Sequence, residues 1–158
     1  MEPRVELLEA NIDPFDTVFA WHWREWSHGE PDADFDEWRA RLCERSAGDQ
    51  IPFTLVAYID ADPVGCLSVC HDDSDKRFAE HGPWLSGMFV DGRARNLGVG
   101  RALLQSVEER TLALGIAELW VHTSEAGPFY ERCGWTYAHR KEAVRDESVL
   151  TRDLSPLA

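Results

Sequence analysis

Six consecutive residues near the middle of the chain have the types and spacing of a loop that binds phosphate: Arg95, Asn96, Leu97, Gly98, Val99 and Gly100. They follow an apolar, strand-like run at residues 84–90 and precede a stretch of helical character that begins at Arg101. The first turn of a helix carries unpaired backbone N–H groups and the positive end of the helix dipole, and both favour an anion. Because glycine has no Cβ, a pyrophosphate could approach the backbone closely at Gly98 and Gly100. The segment therefore predicts a phosphate-binding turn between a strand and a helix.

Three known phosphate-binding patterns can be compared with this loop. A kinase-type P-loop needs Lys and then Ser or Thr after its last glycine, but Gly100 is followed by Arg101 and Ala102. A dinucleotide-binding loop needs a third glycine three residues after Gly100, and Leu103 stands there. The third pattern, Gln/Arg-x-x-Gly-x-Gly/Ala after a strand and at the start of a helix, matches at every specified position from Arg95 onward. The third pattern is therefore favoured.

A second motif follows roughly one helix and one strand later, at residues 123–135. It is similar to the pattern Asn-x-x-Ala-x-x-Phe-Tyr followed by Gly-Phe or Gly-Trp, and the matching residues are Ala126, Phe129, Tyr130 and Gly134. Thr123 stands where the pattern usually has Asn. With both motifs in this order, residues 84–137 resemble the core of the GNAT superfamily of acetyl-CoA-dependent N-acetyltransferases.

The resemblance implies an α/β (α+β) fold in a single domain that spans residues 1–158. The expected architecture is a central mixed, mostly antiparallel sheet of six to seven strands flanked by about four helices. The expected element order is β-α-α-β-β-β-α-β-α-β-β, and apolar and β-rich runs agree with it. These runs predict strands at residues 5–8, 52–59, 64–70, 84–90, 117–123, 135–143 and 148–154.

Capping residues and helical spacing predict where the longer helices begin and end. The pair Asp13-Pro14 is expected to cap the first helix, and Asp34 is expected to cap the second. The third helix is expected to begin at Arg101 and to end at Gly115. Its spacing places Glu108 on the outer face, away from the apolar positions.

The resemblance also implies a cofactor and the residues that hold it. Acetyl-CoA would be the co-substrate, with no metal, and the loop amides from Arg95 to Arg101 would hold the pyrophosphate. The pantetheine arm would pair with backbone groups of Met88, Phe89 and Val90, and a backbone N–H near Phe89 or Val90 would polarise the thioester carbonyl. Tyr130 would be the general acid that protonates the departing thiolate.

The general base is left open by the sequence. A free alkyl amine has a pKa of about 10.4, so it arrives protonated and must lose a proton before it can attack. Some relatives carry a Glu on the strand before the loop, but the corresponding residue here is Trp84, which cannot be a base. His122 is a tentative base because an unperturbed histidine titrates near neutrality; the alternative is a strand histidine with a structural role. The remaining candidates are a relayed water, Glu80, His81 and Glu125.

Composition restricts the classes of partner. The chain has 158 residues, 44% of them hydrophobic, and its 16 basic and 29 acidic residues give a formal charge of −13. This charge argues against nucleic acid and against an anionic membrane surface as partners. No apolar run has the length of a membrane span and the first residues have no signal-peptide pattern, so a cytoplasmic location is expected.

Cys66 and Cys70, on one face of a predicted strand, are expected to be buried apolar residues and not ligands.

The acceptor is expected to be a primary amine. The resemblance implies that the two N-terminal helices shape the acceptor pocket, and here they carry Trp21, Trp23, Trp26, Glu30, Asp32, Asp34, Asp36 and Glu37. Tryptophan faces could hold a cation and carboxylates could steer one, or half of the tryptophans could be core residues and the acids a solvated surface. Asp72, Asp73 and Asp75 form another acidic run. The acidic balance favours a small cationic amine slightly over a protein N-terminus or lysine. The alternative function is a non-catalytic acyl-CoA-binding domain of the same fold.

The resemblance also makes a homodimer possible, because relatives pair through their last strands.

Overall fold

The computed structural model describes residues 2–71 and 76–155. Its strands and helices follow the predicted order. The strands are β1 (Arg4–Leu7), β2 (Phe53–Ile59), β3 (Asp62–Cys70), β4 (Trp84–Val90), β5 (Glu118–Thr123), β6 (Thr136–His139) and β7 (Ser148–Asp153). The helices are α1 (Phe15–Trp26), α2 (Phe35–Glu44), α3 (Val99–Ala113) and α4 (Gly127–Arg132), with short 3-10 turns at Ser27–Gly29, Lys76–Phe78 and Gly92–Ala94.

The seven strands form a mixed sheet in the order β1-β2-β3-β4-β5-β7-β6. β1–β2, β2–β3, β5–β7 and β6–β7 are antiparallel pairs, whereas β4 and β5 are parallel. The expected mixed, mostly antiparallel sheet is therefore confirmed. The chain divides into two compact units: the first is built from residues 2–69 and 87–107, and the second from residues 70–71, 76–86 and 108–155. Among the described residues, no helix combines the length and the apolar character that crossing a membrane requires.

The core of the first unit combines α1 and α2 with residues of β2, β3 and β4. Its buried members are Leu8, Phe15, Val18, Phe19, Trp21, Leu42, Val56, Cys66 and Phe89. Asp34 caps α2 as predicted, since its side chain accepts a hydrogen bond from the backbone N–H of Glu37 at 3.1 Å. Helix α1 begins directly after the predicted pair Asp13-Pro14, with Pro14 in the cap position, but no side-chain capping bond forms there.

Helix α3 begins two residues earlier than predicted, at Val99, and its last helical residue is Ala113, with the predicted Gly115 terminating it two residues later. Gly115 has a positive φ of 84°, and its N–H donates to the carbonyl of Leu112 at 2.9 Å. The N–H of Ile116 donates to the carbonyl of Thr111 at 3.2 Å, which completes a Schellman end.

Glu108 does not lie on an outer, solvated face as predicted. Its carboxylate accepts a hydrogen bond from Nε1 of Trp135 at 3.1 Å and pairs with Nε of Arg152 at 3.3 Å. Burial raises the pKa of this carboxyl, although the charge of Arg152 and the Trp135 hydrogen bond lower it. Trp135 and Arg152 lie well beyond α3 in the sequence, so the helical spacing within α3 could not predict that they contact Glu108.

The second unit is organised around β5 and β7. Trp84, Trp120 and Val149 form its small buried cluster, with Phe78 packed against them. Strand β6 stops at His139, earlier than predicted, because the chain then enters a connection held by side-chain bonds. In that connection, the hydroxyl of Ser148 accepts a hydrogen bond from the N–H of Lys141 at 3.0 Å.

Candidate active site

Strand β4 and the turn after it carry the predicted cofactor residues in the first unit. The N–H of Asp91, one residue past β4, donates to the carbonyl of Val64 at 2.8 Å. The side chain of Asp91 then accepts from the N–H of Arg93 at 3.2 Å, which caps the short turn that follows. Ala94 is buried at the end of this turn. These local bonds anchor the segment that leads into the predicted phosphate loop.

The loop itself turns through two left-handed residues. Asn96 has a φ of 64° and Gly98 a φ of 80°, which is a conformation that glycine and, less often, asparagine adopt. Residues 95–98 are exposed, whereas Val99 is 1% exposed and anchors the start of α3. A Cβ added to Gly98 would meet no atom within 4 Å, so the space above the loop is open.

The loop leads directly to the backbone amides at the start of α3. The first helical bond runs from the N–H of Ala102 to the carbonyl of Gly98 at 3.0 Å. The N–H groups of Val99, Gly100 and Arg101 therefore precede the intrahelical ladder of α3, and such groups favour an anion. Arg101 is exposed, as Arg95 is, so both guanidinium groups are available to solvent beside these amides.

The end of β4 alternates between buried and half-buried side chains. Phe89 is 9% exposed and packs against Trp21, with ring centroids 5.0 Å apart, whereas Met88 and Val90 are half-buried. On the adjoining β3, a Cβ at Gly65 would stand 2.9 Å from the carbonyl oxygen of Phe89. Sequence reasoning did not single out Gly65, although a lone glycine inside a strand signals close backbone approach.

The structure also shows an irregular point in β4 that sequence reasoning missed. Gly87 has a φ of 66°, and the carbonyl of this residue accepts a hydrogen bond from the thiol of Cys66 at 3.5 Å. The imidazole of His22 is 5% exposed, and its Nε2 lies 3.7 Å from Cys66 Sγ. Burial first, and the charge of Arg45 second, lowers the pKa of His22 to about 4, so the ring is neutral at physiological pH.

The tryptophans of the N-terminal helices play different parts. Trp21 is buried, while Trp23 is half-buried and packs edge-on against Phe35 and Trp38 at 5.3 and 6.0 Å between centroids. Trp26 is 36% exposed and contacts the ring of His22. Trp21 is thus a core residue. The acidic run Asp72, Asp73 and Asp75 lies outside the described residues.

Tyr130, the predicted general acid, lies on α4 in the second unit. It is 3% exposed, and its ring centroid is 5.2 Å from that of Phe129 and 5.4 Å from that of Trp135. Burial, and to a smaller extent Cys133, raises the pKa of Tyr130 well above its ordinary value. Its phenol is therefore protonated throughout the neutral range. Thr123, which replaces the usual Asn of this motif, accepts a hydrogen bond on Oγ1 from the N–H of Ala126 at 3.0 Å and so supports the turn before α4.

His122, the tentative base, has a carboxylate partner. Its Nδ1 is hydrogen-bonded to Oε2 of Glu147, and the His122 and Glu147 side chains are 29% and 42% exposed. Glu147 lies 25 residues further along the chain and was not a candidate in the sequence. No local pattern could have found it, since only the pairing of β5 with β7 brings it near.

The other base candidates of the second unit have different surroundings. The exposed ring of His81 stacks on Trp120 with a centroid distance of 4.1 Å. Glu125 has an 84% exposed side chain and pairs with Nζ of Lys141 at 3.1 Å, and Glu80 is exposed. Trp84, at the position where some relatives have Glu, is 1% exposed and donates its indole N–H to the carbonyl of His81 at 2.8 Å. Within residues 2–71 and 76–155, no cluster of three or more His, Cys, Asp or Glu could hold a metal ion.

Solved structures share this fold. An aminoglycoside 6'-N-acetyltransferase complexed with coenzyme A matches with a TM-score of 0.75 and 12% identity, over 98% of this chain and 99% of that one. The PaiA N-acetyltransferase from Thermoplasma acidophilum, in complex with coenzyme A, matches with a TM-score of 0.70 and 14% identity, over 97% and 99%. An acetyltransferase of the GNAT family from Streptococcus pneumoniae matches with a TM-score of 0.69 and 17% identity, over 98% and 100%.

Sequence comparison gives the family. No curated protein sequence matches the chain significantly. The family model described as the acetyltransferase (GNAT) family matches residues 15–135, which is well over half of the 158 residues. The range includes β4, the loop after it, α3 and α4 with Tyr130. The chain therefore belongs to the GNAT acetyltransferase family, and it is an acyltransferase.

Proposed function

We propose that this protein acts as one domain that transfers the acetyl group of acetyl-CoA to a primary amine. The observation that carries the proposal is the exposed loop at residues 95–98, which turns at Asn96 and Gly98 and opens into the first amides of α3. Such amides suit a pyrophosphate, and Arg95 and Arg101 add positive charge beside them. Two proteins of the same fold have been solved in complex with coenzyme A, which supports this ligand.

The same strand offers a path for the rest of the cofactor. In our proposal the pantetheine arm pairs with the backbone of Met88, Phe89 and Val90, as an added strand would. A backbone N–H near Phe89 or Val90 donates to the thioester oxygen and stabilises the negative charge that develops there during attack.

The chemical step requires three proton transfers. His122 accepts a proton from the protonated amine, and the free amine attacks the thioester carbonyl to form a tetrahedral intermediate. When this intermediate collapses, the C–S bond breaks and the thiolate takes the phenol proton of Tyr130. The second proton of the attacking nitrogen then restores the phenol, and the products are an amide and coenzyme A. Burial keeps the phenol of Tyr130 protonated until the thiolate forms, as a general acid requires, although the raised pKa also makes the phenol a weaker proton donor.

For the acceptor, we favour a small cationic amine. The formal charge of −13 would raise the local concentration of cations near the protein. One solved structure of the same fold is named as an aminoglycoside 6'-N-acetyltransferase, which supports an acceptor of this class. A protein N-terminus or a lysine side chain is the competing acceptor class.

The test is a coenzyme A release assay with acetyl-CoA and a panel that contains an aminoglycoside, a linear polyamine, a lysine peptide and a peptide with a free N-terminus. We expect turnover with at least one of these acceptors. Tyr130→Phe should lower kcat by about a hundredfold or more, the lower range for a lost general acid, with the Kd of coenzyme A unchanged. Tyr58→Phe makes the same chemical change on β2 and serves as the matched control. Tight coenzyme A binding without transfer to any acceptor would favour the non-catalytic binding domain.

A further inference from the structure

We propose that His22 is a positioning residue for the acetyl transfer. Its ring fixes the path of the β4 backbone at Gly87, and it thereby sets where the backbone N–H groups of Met88 and Val90 point. This inference rests on the proposed function, in which a backbone N–H of this segment donates to the thioester oxygen.

The imidazole of His22 faces Gly87 with one edge. A Cβ built on Gly87 would lie 2.8 Å from Cε1, 3.3 Å from Nε2 and 3.6 Å from Nδ1 of His22. These are three consecutive ring atoms, so the edge of the ring that points away from the helix backbone lies against the strand. Because 2.8 Å is closer than a Cβ can approach another heavy atom, only glycine fits beside the ring in this arrangement.

Cys66 holds Gly87 from a second direction. The thiol of this fully buried residue of β3 donates to the carbonyl of Gly87 at 3.5 Å, and its Sγ lies 3.7 Å from Nε2 of His22. Glycine has more backbone freedom than any other residue, and Gly87 uses it, with a φ of 66°. The neighbouring side chains of His22 and Cys66 therefore have to supply the restraint that Gly87 itself lacks.

Helix α1 contacts β4 at a second position, on the other side of Met88. Trp21 precedes His22 in the helix, and its ring centroid is 5.0 Å from that of Phe89. Both Trp21 and Phe89 are buried. The backbone at Met88 thus lies between two contacts with the same helix, and the contact at Gly87 is the one made to a residue without a side chain.

The N–H groups of this segment alternate between the two edges of the strand. The N–H of Asp91 donates to the carbonyl of Val64 on β3 at 2.8 Å, and a backbone hydrogen bond at Phe89 reaches the thiol of Cys66, also on β3. Since successive N–H groups of a strand point to opposite edges, those of Met88 and Val90 point away from β3. A rotation of the backbone at Gly87 would change the direction of these two groups.

The ring of His22 acts through its shape and not through a charge. Burial, and after it the charge of Arg45, lowers the pKa of His22 to about 4, so the imidazole is neutral at physiological pH. A neutral ring needs no counter-charge in a buried place. The ring of Trp26 stands edge-on to the imidazole with a centroid distance of 5.0 Å and contacts it at a position other than Gly87.

The proposed diphosphate loop is anchored separately. The bond from Asp91 to Val64 fixes the chain directly after Val90, and the side chain of Asp91 caps the turn that leads to residues 95–98. A displacement at Gly87 should therefore affect residues 88–90 and leave the loop in place. Coenzyme A would still bind through its pyrophosphate, but the thioester oxygen would lose an aligned donor. A positioning role thus predicts a loss in kcat with little change in cofactor affinity.

The experiment compares His22→Asn, His22→Gln and Val18→Ala, with acetyl-CoA and an acceptor that wild type turns over. Asparagine has no atoms that correspond to Cε1 and Nε2 of the imidazole, whereas the longer glutamine can bring its amide to that place. Val18 is fully buried on the same helix, so Val18→Ala loosens α1 without removing the ring.

We expect His22→Asn to lower kcat about tenfold with the Kd of coenzyme A within about threefold of wild type, which is part of the roughly hundredfold effect of removing an oxyanion donor. His22→Gln should recover most of the lost kcat. Val18→Ala should lower the urea midpoint and keep the kcat of wild type. An equal loss of kcat in Val18→Ala would attribute the effect to a loosened helix and overturn the inference.

A second measurement does not depend on turnover. In amide NMR spectra of the free protein, both His22 variants should shift the signals of Gly87 and Met88, His22→Gln by less, and leave those of residues 95–98 in place. The comparison with His22→Gln stands even if His22→Asn does not fold. Unmoved signals at Gly87 and Met88, or an unchanged kcat in His22→Asn, overturn the inference and leave the proposed function standing. Absence of turnover by wild type with every acceptor overturns the proposed function, and the inference with it.

Discussion

The imidazole of His22 lies so close to Gly87 that a Cβ added to Gly87 would stand 2.8 Å from the ring carbon Cε1. Gly87 is also the residue at which β4 takes a left-handed conformation, with a φ of 66°. The carbonyl of Gly87 and the ring of His22 both contact the thiol of Cys66. A neutral, buried histidine on α1 therefore packs into the irregular point of the strand that leads to Met88, Phe89 and Val90.

Gly87→Ala is expected to destabilise the protein. A left-handed residue other than glycine costs about 1–2 kcal/mol, and the displacement of the buried His22 ring adds to that cost. The urea midpoint of the variant should fall clearly below that of wild type. Gly29→Ala is the control, because a Cβ there meets no atom within 4 Å and the backbone is not left-handed. Equal midpoints for the two variants would contradict the close packing of His22 against Gly87.

Gly98→Ala is expected to weaken coenzyme A binding more than it weakens folding. The free protein has open space at this position, so the cost to folding is the backbone strain at a φ of 80°, about 1–2 kcal/mol. The new methyl group would occupy the space through which the pyrophosphate is proposed to reach the loop amides. Calorimetry should show the Kd for coenzyme A raised about tenfold or more, which corresponds to about 1.4 kcal/mol.

Gly92→Ala is the matched control for this loop variant. Gly92 lies in the turn just before the loop, with an ordinary φ and no atom within 4 Å of an added Cβ. Its coenzyme A affinity should equal that of wild type. If Gly98→Ala also binds with wild-type affinity, the loop does not hold the pyrophosphate.

Cys66 is expected to be the slowest thiol to alkylate in the folded protein. Burial raises its thiol pKa to about 12, even though a backbone hydrogen bond at Phe89 lowers it, and only the thiolate reacts. Cys43 and Cys133 are half-buried and should react with iodoacetamide first. Mass spectrometry of digests taken over time measures the order, and denatured protein provides the control in which the thiols react alike. Labelling of Cys66 as early as Cys133 would disprove the prediction.

Asp146 is expected to make stability depend on pH in the acidic range. Its pKa is lowered in the folded protein, first by the hydrogen bond from His139 and then by the backbone N–H of Glu142. A carboxyl with a lowered folded pKa stabilises the protein above the unfolded value, near 3.9, and the stabilisation is lost as the pH falls through the folded value. Asp146→Asn should therefore have a smaller free energy of unfolding than wild type at pH 7.

The difference between Asp146→Asn and wild type should narrow as the pH falls below about 4, because protonation removes the charge from wild type as well. Urea denaturation at a series of pH values measures the free energy of unfolding of both proteins and so the difference between them. Asp32→Asn changes an exposed carboxylate and should follow wild type throughout. A difference that stays constant down to acidic pH would mean that the charge of Asp146 has no part in the effect.

Much of the fold could be predicted because its signals are local. The bounds of β4 follow from one apolar run, the cap of α2 from Asp34, and the end of α3 from Gly115. The loop at residues 95–98 was likewise predictable, since its turn residues and the helix start that they introduce are adjacent in the chain. Turns, helix caps and helical spacing depend on residues that are only a few positions apart, so the sequence alone can predict them.

The contacts that refine the site could not be predicted in this way. His22 meets Gly87 across 65 positions of the chain, and His122 meets Glu147 across 25. The contact of His22 with Gly87 depends on how α1 packs on β4. The contact of His122 with Glu147 depends on the pairing of β5 with β7 and on its register, because a shift of one residue would turn the side chains to the opposite face. The amino-acid sequence alone thus determined the family, the element order and the turn at residues 95–98 that leads into α3. The tertiary structure decided which distant side chains meet, because strand pairing and core packing depend on many residues at once.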